Sequence, residues 1–177
     1  MTSVDKQNIL VINSSVGLQG YQSNALTKEV VLDLIEDRPG SRCLYLNVGE
    51  EPYPYVNDEW VTANKTPEAE RTDKQKVILE LSNSLINKLQ LADIIVVGCP
   101  VSNCSIPVSL KNYFDLICRE GYTFKNTPSG PVGLLKGKRV VICTSGSDGD
   151  EMDFVNGYME NICGLIGLTN FRHFCSK

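Results

Sequence analysis

Four short runs of nearly uninterrupted apolar residues punctuate the chain, at 8–12, 94–99, 139–143 and, more weakly, 42–46, and a fifth candidate lies at 170–175. Their length and β-branched content are those of strands buried on both faces, as in a parallel sheet, rather than of half-exposed antiparallel strands. Between them the apolar period changes to that of a helix. Residues 24–35 place Leu26, Val30, Val31 and Leu34 on one face, and 73–91 do the same with Val77, Leu81, Leu85, Ile86 and Leu89. Residues 108–118 carry Leu110, Phe114 and Ile117 after Pro107, a residue suited to a first helical turn, and 152–166 form a last helix weakened by Gly157 and Gly164. Strand and helix alternate from end to end, which predicts an open parallel sheet with helices on both faces in a single α/β domain over 1–177.

Two connections are long and aromatic: 49–67, with Tyr53, Tyr55 and Trp60, and 121–137, with Tyr122 and Phe124. Segments of that size either cap a site or meet a partner, or they pack over the sheet edge; both readings stand.

Composition narrows the function. The chain has 177 residues, 42% of them hydrophobic, and a net charge of −4 without a dense basic run. That excludes a nucleic-acid backbone as partner while leaving room for a small anionic cofactor. No apolar stretch reaches the length of a membrane span and the start carries an acid, so a cytoplasmic protein is expected. The seven cysteines form no C-x-x-C pair, which disfavours zinc and a disulfide framework and reads most of them as small buried hydrophobes. His173, the only histidine, lies in the last strand without an evident partner and reads as structural; no general acid is assigned.

In an open parallel sheet, ligands bind beyond the carboxyl ends of the strands, where strand order reverses. Three loops qualify: 13–23, 100–106 and 144–150, all rich in Ser, Asn and Gly. Neither G-x-G-x-x-G nor a P-loop is present. Instead Ser15, Gln22 and Ser23, with Asn24 opening the helix, offer hydroxyl and amide donors to a phosphate monoester, the simpler reading being an N-cap. Asn103, after Pro100, presents a donor and an acceptor to a planar heterocycle, and Ser145, Gly146 and Ser147 allow close backbone approach.

"SS" followed by "GYQSNAL", "P-x-x-N-x-x-I-P-x-x-LKNYFDLICREGYTF", "GPVGLLKGKRVVICTSG" and "GLIGLTN" together resemble the FMN-dependent NADH-azoreductases, flavodoxin-like quinone and azo reductases once labelled acyl-carrier-protein phosphodiesterases. The resemblance implies a three-layer α/β/α fold with sheet order 2-1-3-4-5. It also implies a homodimer binding FMN, and two-electron transfer from NADH or NADPH to quinones or azo compounds. By position, Ser15, Gln22 and Ser23 match the phosphate loop, Val101, Ser102, Asn103 and Cys104 the segment beside the ring, and Ser145, Gly146 and Ser147 the third flavin loop.

The departures from the family pattern fall on the same loops. Tyr21 replaces a serine, Val101-Ser102-Asn103-Cys104 replaces Met-Tyr-Asn-Phe, and Ser145-Gly146-Ser147-Asp148 replaces Ser-Arg-Gly-Gly, with Asp150 and Glu151 following. Losing two aromatic neighbours weakens FMN binding by roughly ten- to a hundredfold. The added carboxylates oppose negative charge on the flavin and lower its potential. The family's closing helix would follow beyond Lys177, and without it part of one sheet face stays bare. These departures motivate a second reading, a degenerate member that binds FMN weakly or not at all and acts as an interaction or regulatory protein. A one-electron flavodoxin carrier and a receiver domain fit less well: the first wants a more acidic surface, the second an acid where Gly98, Cys99 and Pro100 stand.

Overall fold

The five apolar runs pair as parallel strands. The computed structural model describes residues 6–16, 20–51, 53–146 and 149–176, with 20–23 described by backbone alone. In chain order the elements are β1 (Asn8–Asn13), α1 (Gly20–Asp37), β2 (Arg42–Asn47), α2 (Asp58–Lys65), α3 (Asp73–Leu91), β3 (Ile94–Pro100), α4 (Val108–Ile117), β4 (Phe124–Thr127), β5 (Gly130–Gly133), β6 (Arg139–Ser145), α5 (Asp150–Leu165) and β7 (Asn170–Ser176). The main sheet runs β2-β1-β3-β6-β7, which is 2-1-3-4-5 when only its own strands are numbered. The antiparallel pair β4–β5 stands apart from it.

Alternate residues of each strand feed two cores, which is why the runs are apolar throughout. Ile9, Val11, Ile94, Val96, Val141 and Cys143 pack with Val30 and Val31 of α1. Leu10, Ile12, Ile95, Val97, Val140 and Ile142 face the other way, toward α3, α4 and α5. Of the expected face of α3, Leu85, Ile86 and Leu89 are buried and Leu81 packs half-buried against the core, but Val77 is 62% exposed, and Leu79 and Ser82 join the buried side instead. Ser82 fits there because its hydroxyl donates to the Leu116 carbonyl at 2.6 Å. On the α1 side a groove of 320 Å³ runs between that helix and β6–β7, bounded by Val30, Leu34, Val141 and Phe174.

Both long connections contain regular structure that apolar periodicity did not announce. In the first, Asn57 caps α2 by accepting from the Trp60 amide at 2.9 Å, and Asp58 and Glu59 complement the helix N-terminus. The second folds into the β4–β5 hairpin. Arg119, fully buried at the end of α4, ties these segments together. Its Nε donates to Asn64 Oδ1 (2.7 Å), its Nη1 to Ser82 Oγ (3.0 Å) and Asn83 Oδ1 (2.6 Å), and the guanidinium lies 4.1 Å from the centre of the Tyr122 ring. Burial lowers its pKa, yet the hydrogen bonds and aromatic face make a charged arginine tolerable there. His173 pairs with Glu160 at 2.8 Å, in keeping with a structural role. Cys99, Cys143 and Cys163 are buried and Cys43 and Cys118 half-buried, but Cys104 and Cys175 are exposed, against the general reading of the cysteines as core residues. No helix among the described residues is long and apolar enough to cross a membrane.

Candidate functional site

Chain order reverses between β1 and β3: α1 and β2 depart to one side of β1, while β3, β6 and β7 are added on the other. The carboxyl ends of β1 and β3 therefore diverge into a crevice. Ser14 closes its base, donating to the Gly98 carbonyl through its amide (3.3 Å) and its hydroxyl (2.7 Å). Ser15 follows. It is 4% exposed and its Oγ has no hydrogen-bond partner among the described residues, an arrangement that costs free energy unless something else occupies it. Gly49 presses on the same turn from the β2 side. A Cβ there would lie 2.4 Å from the Ser15 carbonyl oxygen.

Beyond β3, Val101 extends the pairing with β6 by donating its amide to the Ser145 carbonyl at 2.8 Å. The chain then reverses tightly: Ser102 and Ser105 exchange backbone hydrogen bonds of 2.8 and 3.0 Å, with Asn103 at φ 49° and Cys104 at φ 61°. Two consecutive left-handed residues make a type I′ turn, and they set both side chains at its tip. Ser145 ends β6 and is buried, and Gly146 turns at φ 89° with its α-carbon facing the Val101 carbonyl. α5 then starts at Asp150 with Glu151 and Asp153 in its first turn. Cys104 Sγ donates to Glu151 Oε1 at 3.1 Å, joining the second and third loops.

Residues 7–177 match the family described as having a flavodoxin-like fold. The FMN-dependent NADH:quinone oxidoreductase 1 of Hahella chejuensis is 40% identical over 165 residues, covering 92% of this chain and 80% of that protein. The corresponding enzyme of Paraburkholderia phymatum is 39% identical over 168 residues, covering 92% and 83%. The chain belongs to the FMN-dependent NADH:quinone oxidoreductase family. Its backbone also superposes on the azoreductase of Bacillus anthracis str. Sterne with a TM-score of 0.84 at 24% identity, over 97% of this chain and 86% of that one, which shows the shared fold.

Against the family pattern, the structure brings together Ser15, the Val101–Cys104 turn, Ser145 and Gly146 at the carboxyl ends of neighbouring strands. Gln22 and Ser23 belong to the start of α1, but their side chains lie outside the described residues, as does Ser147. One detail is corrected: α1 begins at Gly20, so Ser23 and Asn24 lie inside the helix and neither caps nor opens it. The first turn of α1 holds no acidic residue, which leaves the positive end of its dipole unopposed by local charge.

Two features escaped the sequence. Asn112, 6% exposed on α4, donates its side-chain amide to the carbonyls of Tyr53 (3.1 Å) and Pro54 (3.4 Å) and so fixes the aromatic loop. An asparagine beside Tyr113 and Phe114 on an apolar face was the available signal. The Cys104–Glu151 contact had none. Glu151 raises the Cys104 pKa, first by accepting the thiol hydrogen bond and then by its charge. Glu151→Gln is therefore expected to lower that pKa and to speed alkylation of Cys104 by iodoacetamide at about pH 8, where the thiolate fraction limits the rate. Superimposable pH–rate profiles for the two proteins would show that the carboxylate does not act on the thiol.

Proposed function

We propose that this chain is an FMN-dependent NADH:quinone oxidoreductase with azo compounds as further acceptors, working in the cytoplasm as a homodimer. Family membership supports the reaction, and one observation supports the cofactor's place: the buried Ser15 hydroxyl at the switch point, which has no hydrogen-bond partner among the described residues. A phosphate monoester fits that donor. Ser15, the backbone amides opening α1, and Gln22 and Ser23 would hold it, with the helix dipole favouring the dianion. Val101, Ser102, Asn103 and Cys104 on one side and Ser145, Gly146 and Ser147 on the other would border the ring, Asn103 offering a donor and an acceptor to its polar edge.

The chemistry that bound FMN supplies is two-electron transfer, hydride in from the nicotinamide and hydride with a proton out to the acceptor. The protein's share is position and field. The type I′ turn fixes Asn103, Cys104 holds the Glu151 carboxylate at the turn, and that charge disfavours added negative charge nearby. NADH is the donor named for the relatives, and NADPH is the alternative to compare with it.

Protein incubated with FMN and desalted should keep its flavin absorbance and oxidise NADH in a menadione-dependent manner. Ser15→Ala should weaken FMN binding by about ten- to a hundredfold, the loss of one hydrogen bond to a charged group, read by quenching of flavin fluorescence. A colourless protein after desalting, with no menadione-dependent turnover, would discard the enzyme and leave the interaction-protein reading.

A further inference from the structure

The groove between α1 and β6–β7 lies on the sheet face opposite α3, α4 and α5. Arg139 opens β6 and Asp37 ends α1, so the groove reaches the amino ends of the strands, and none of its lining residues belongs to the crevice. Its floor is apolar, formed by Leu34, Val141 and the half-buried Phe174. Its walls carry opposite charge. Asp33, Glu36 and Asp37 stand on α1, and Arg139 and Arg172 on β6 and β7. None of the five forms an ion pair among the described residues, so the two walls face each other across 320 Å³ without touching. Arg139 is the most exacting of them. Its Nε is buried and has no hydrogen-bond partner among the described residues, and burial, then the positive charges of Arg38 and Arg172, lower its pKa against the pull of Asp37. A partly desolvated guanidinium with an open donor is stabilised by a carboxylate brought to it.

We propose that this groove docks an amphipathic helix of another polypeptide, with its apolar stripe on Leu34, Val141 and Phe174, a basic flank against α1 and an acidic flank against Arg139 and Arg172. The shape calls for a helix. The floor is one face of a parallel sheet, which is covered by helices, and a helix about 10 Å across spans roughly two strand spacings of about 4.8 Å. β6 and β7 are the last two strands at this edge of the sheet. The charge of the walls selects the partner: a helix without charged flanks leaves both walls unpaired, and one with like charge on both flanks is repelled by one of them. The proposal does not depend on FMN or on the oxidoreductase reading.

The test titrates the full chain into three fluorescein-labelled synthetic helices of about 18 residues, all with one stripe of leucines, and follows fluorescence anisotropy. The first carries lysines along one flank and glutamates along the other. The second has the same composition with both charges mixed on each flank, and the third is acidic on both. The first should bind about tenfold more tightly than the second and shift the backbone amides of Leu34, Val141 and Phe174 in NMR spectra. The Asp33→Lys/Asp37→Lys protein should lose that preference and bind the third helix about tenfold more tightly than the parent does, whereas mere damage to the fold would weaken all three. No binding of any helix, equal binding of the first two, amide shifts confined to another surface, or an unchanged ranking in the variant would overturn the proposal. So would self-association of the parent, seen by light scattering without any peptide and abolished in the variant, since a second copy would then hold the groove. FMN retention measured on the same samples reports on the oxidoreductase reading separately.

Discussion

Gly49→Ala is expected to weaken FMN binding by about tenfold or more. The added methyl would sit 2.4 Å from the Ser15 carbonyl oxygen and 2.8 Å from the Ser14 carbonyl carbon and oxygen. All three atoms are backbone, so no flexible side chain can swing aside. The turn is also pinned from elsewhere: Ser14 bonds twice to Gly98, and Ser109 Oγ donates to the Ser14 carbonyl at 3.5 Å. The longest restraints are the 3.5 Å bond from Ser109 to Ser14 and the 3.3 Å bond from the Gly49 amide to the Asn13 carbonyl, and these should yield first. Relief by that route costs about 1–3 kcal/mol of stability, as overpacking generally does, and moves the Ser15 hydroxyl away from where a phosphate would meet it. Fluorescence titration of FMN and urea unfolding of the same protein check both parts. An FMN affinity within about twofold of the parent, with an unmoved unfolding midpoint, would show that this turn does not hold the cofactor.

Gly133→Ala should be more damaging and should act on the fold itself. The last residue of β5 meets the turn after α5 backbone to backbone: a Cβ on Gly133 would fall 2.0 Å from the Gly167 nitrogen and 2.3 Å from its α-carbon. Next to this contact the Leu135 amide donates to the Ile166 carbonyl at 2.9 Å, so separating the two segments also breaks the hydrogen bond that ties the end of the hairpin to the turn after α5. A loss of about 4 kcal/mol or more is expected, a large part of the stability of an ordinary domain. Gly167→Ala should cost less, about 1–3 kcal/mol: its contacts are 2.9 to 3.1 Å, and its φ of 96° adds backbone strain. Urea midpoints order the two variants, and a Gly133→Ala protein as stable as its parent would refute the close packing.

These two glycines also mark how far the sequence could be read. "GPVGL" and "GLIGL" stood out by resemblance alone, and the fold shows that Gly133 of the first touches Gly167 of the second. The candidate site was legible to the extent that it follows strands: Ser15, Asn103 and Ser145 lie where three apolar runs end, as the runs themselves foretold. The α2 helix was hidden because its eight residues bury only Trp60 and Ala63, too few to show a period, although Asn57 with Asp58 and Glu59 spelled its cap.

By itself the sequence determined the order of strands and helices, the parallel sheet and the edge at which its polar loops gather. Each of those is encoded locally, in unbroken apolar runs for the strands and in apolar residues at a period of about 3.6 for the helices. Tertiary structure alone decided that Cys104 meets Glu151, 47 residues away, that Asn112 grips carbonyls 58 and 59 residues before it, and that Gly49 abuts Ser15. Such contacts arise because the crossover connections bring distant loops to one rim of the sheet, and no short stretch of chain carries the distance between two loops.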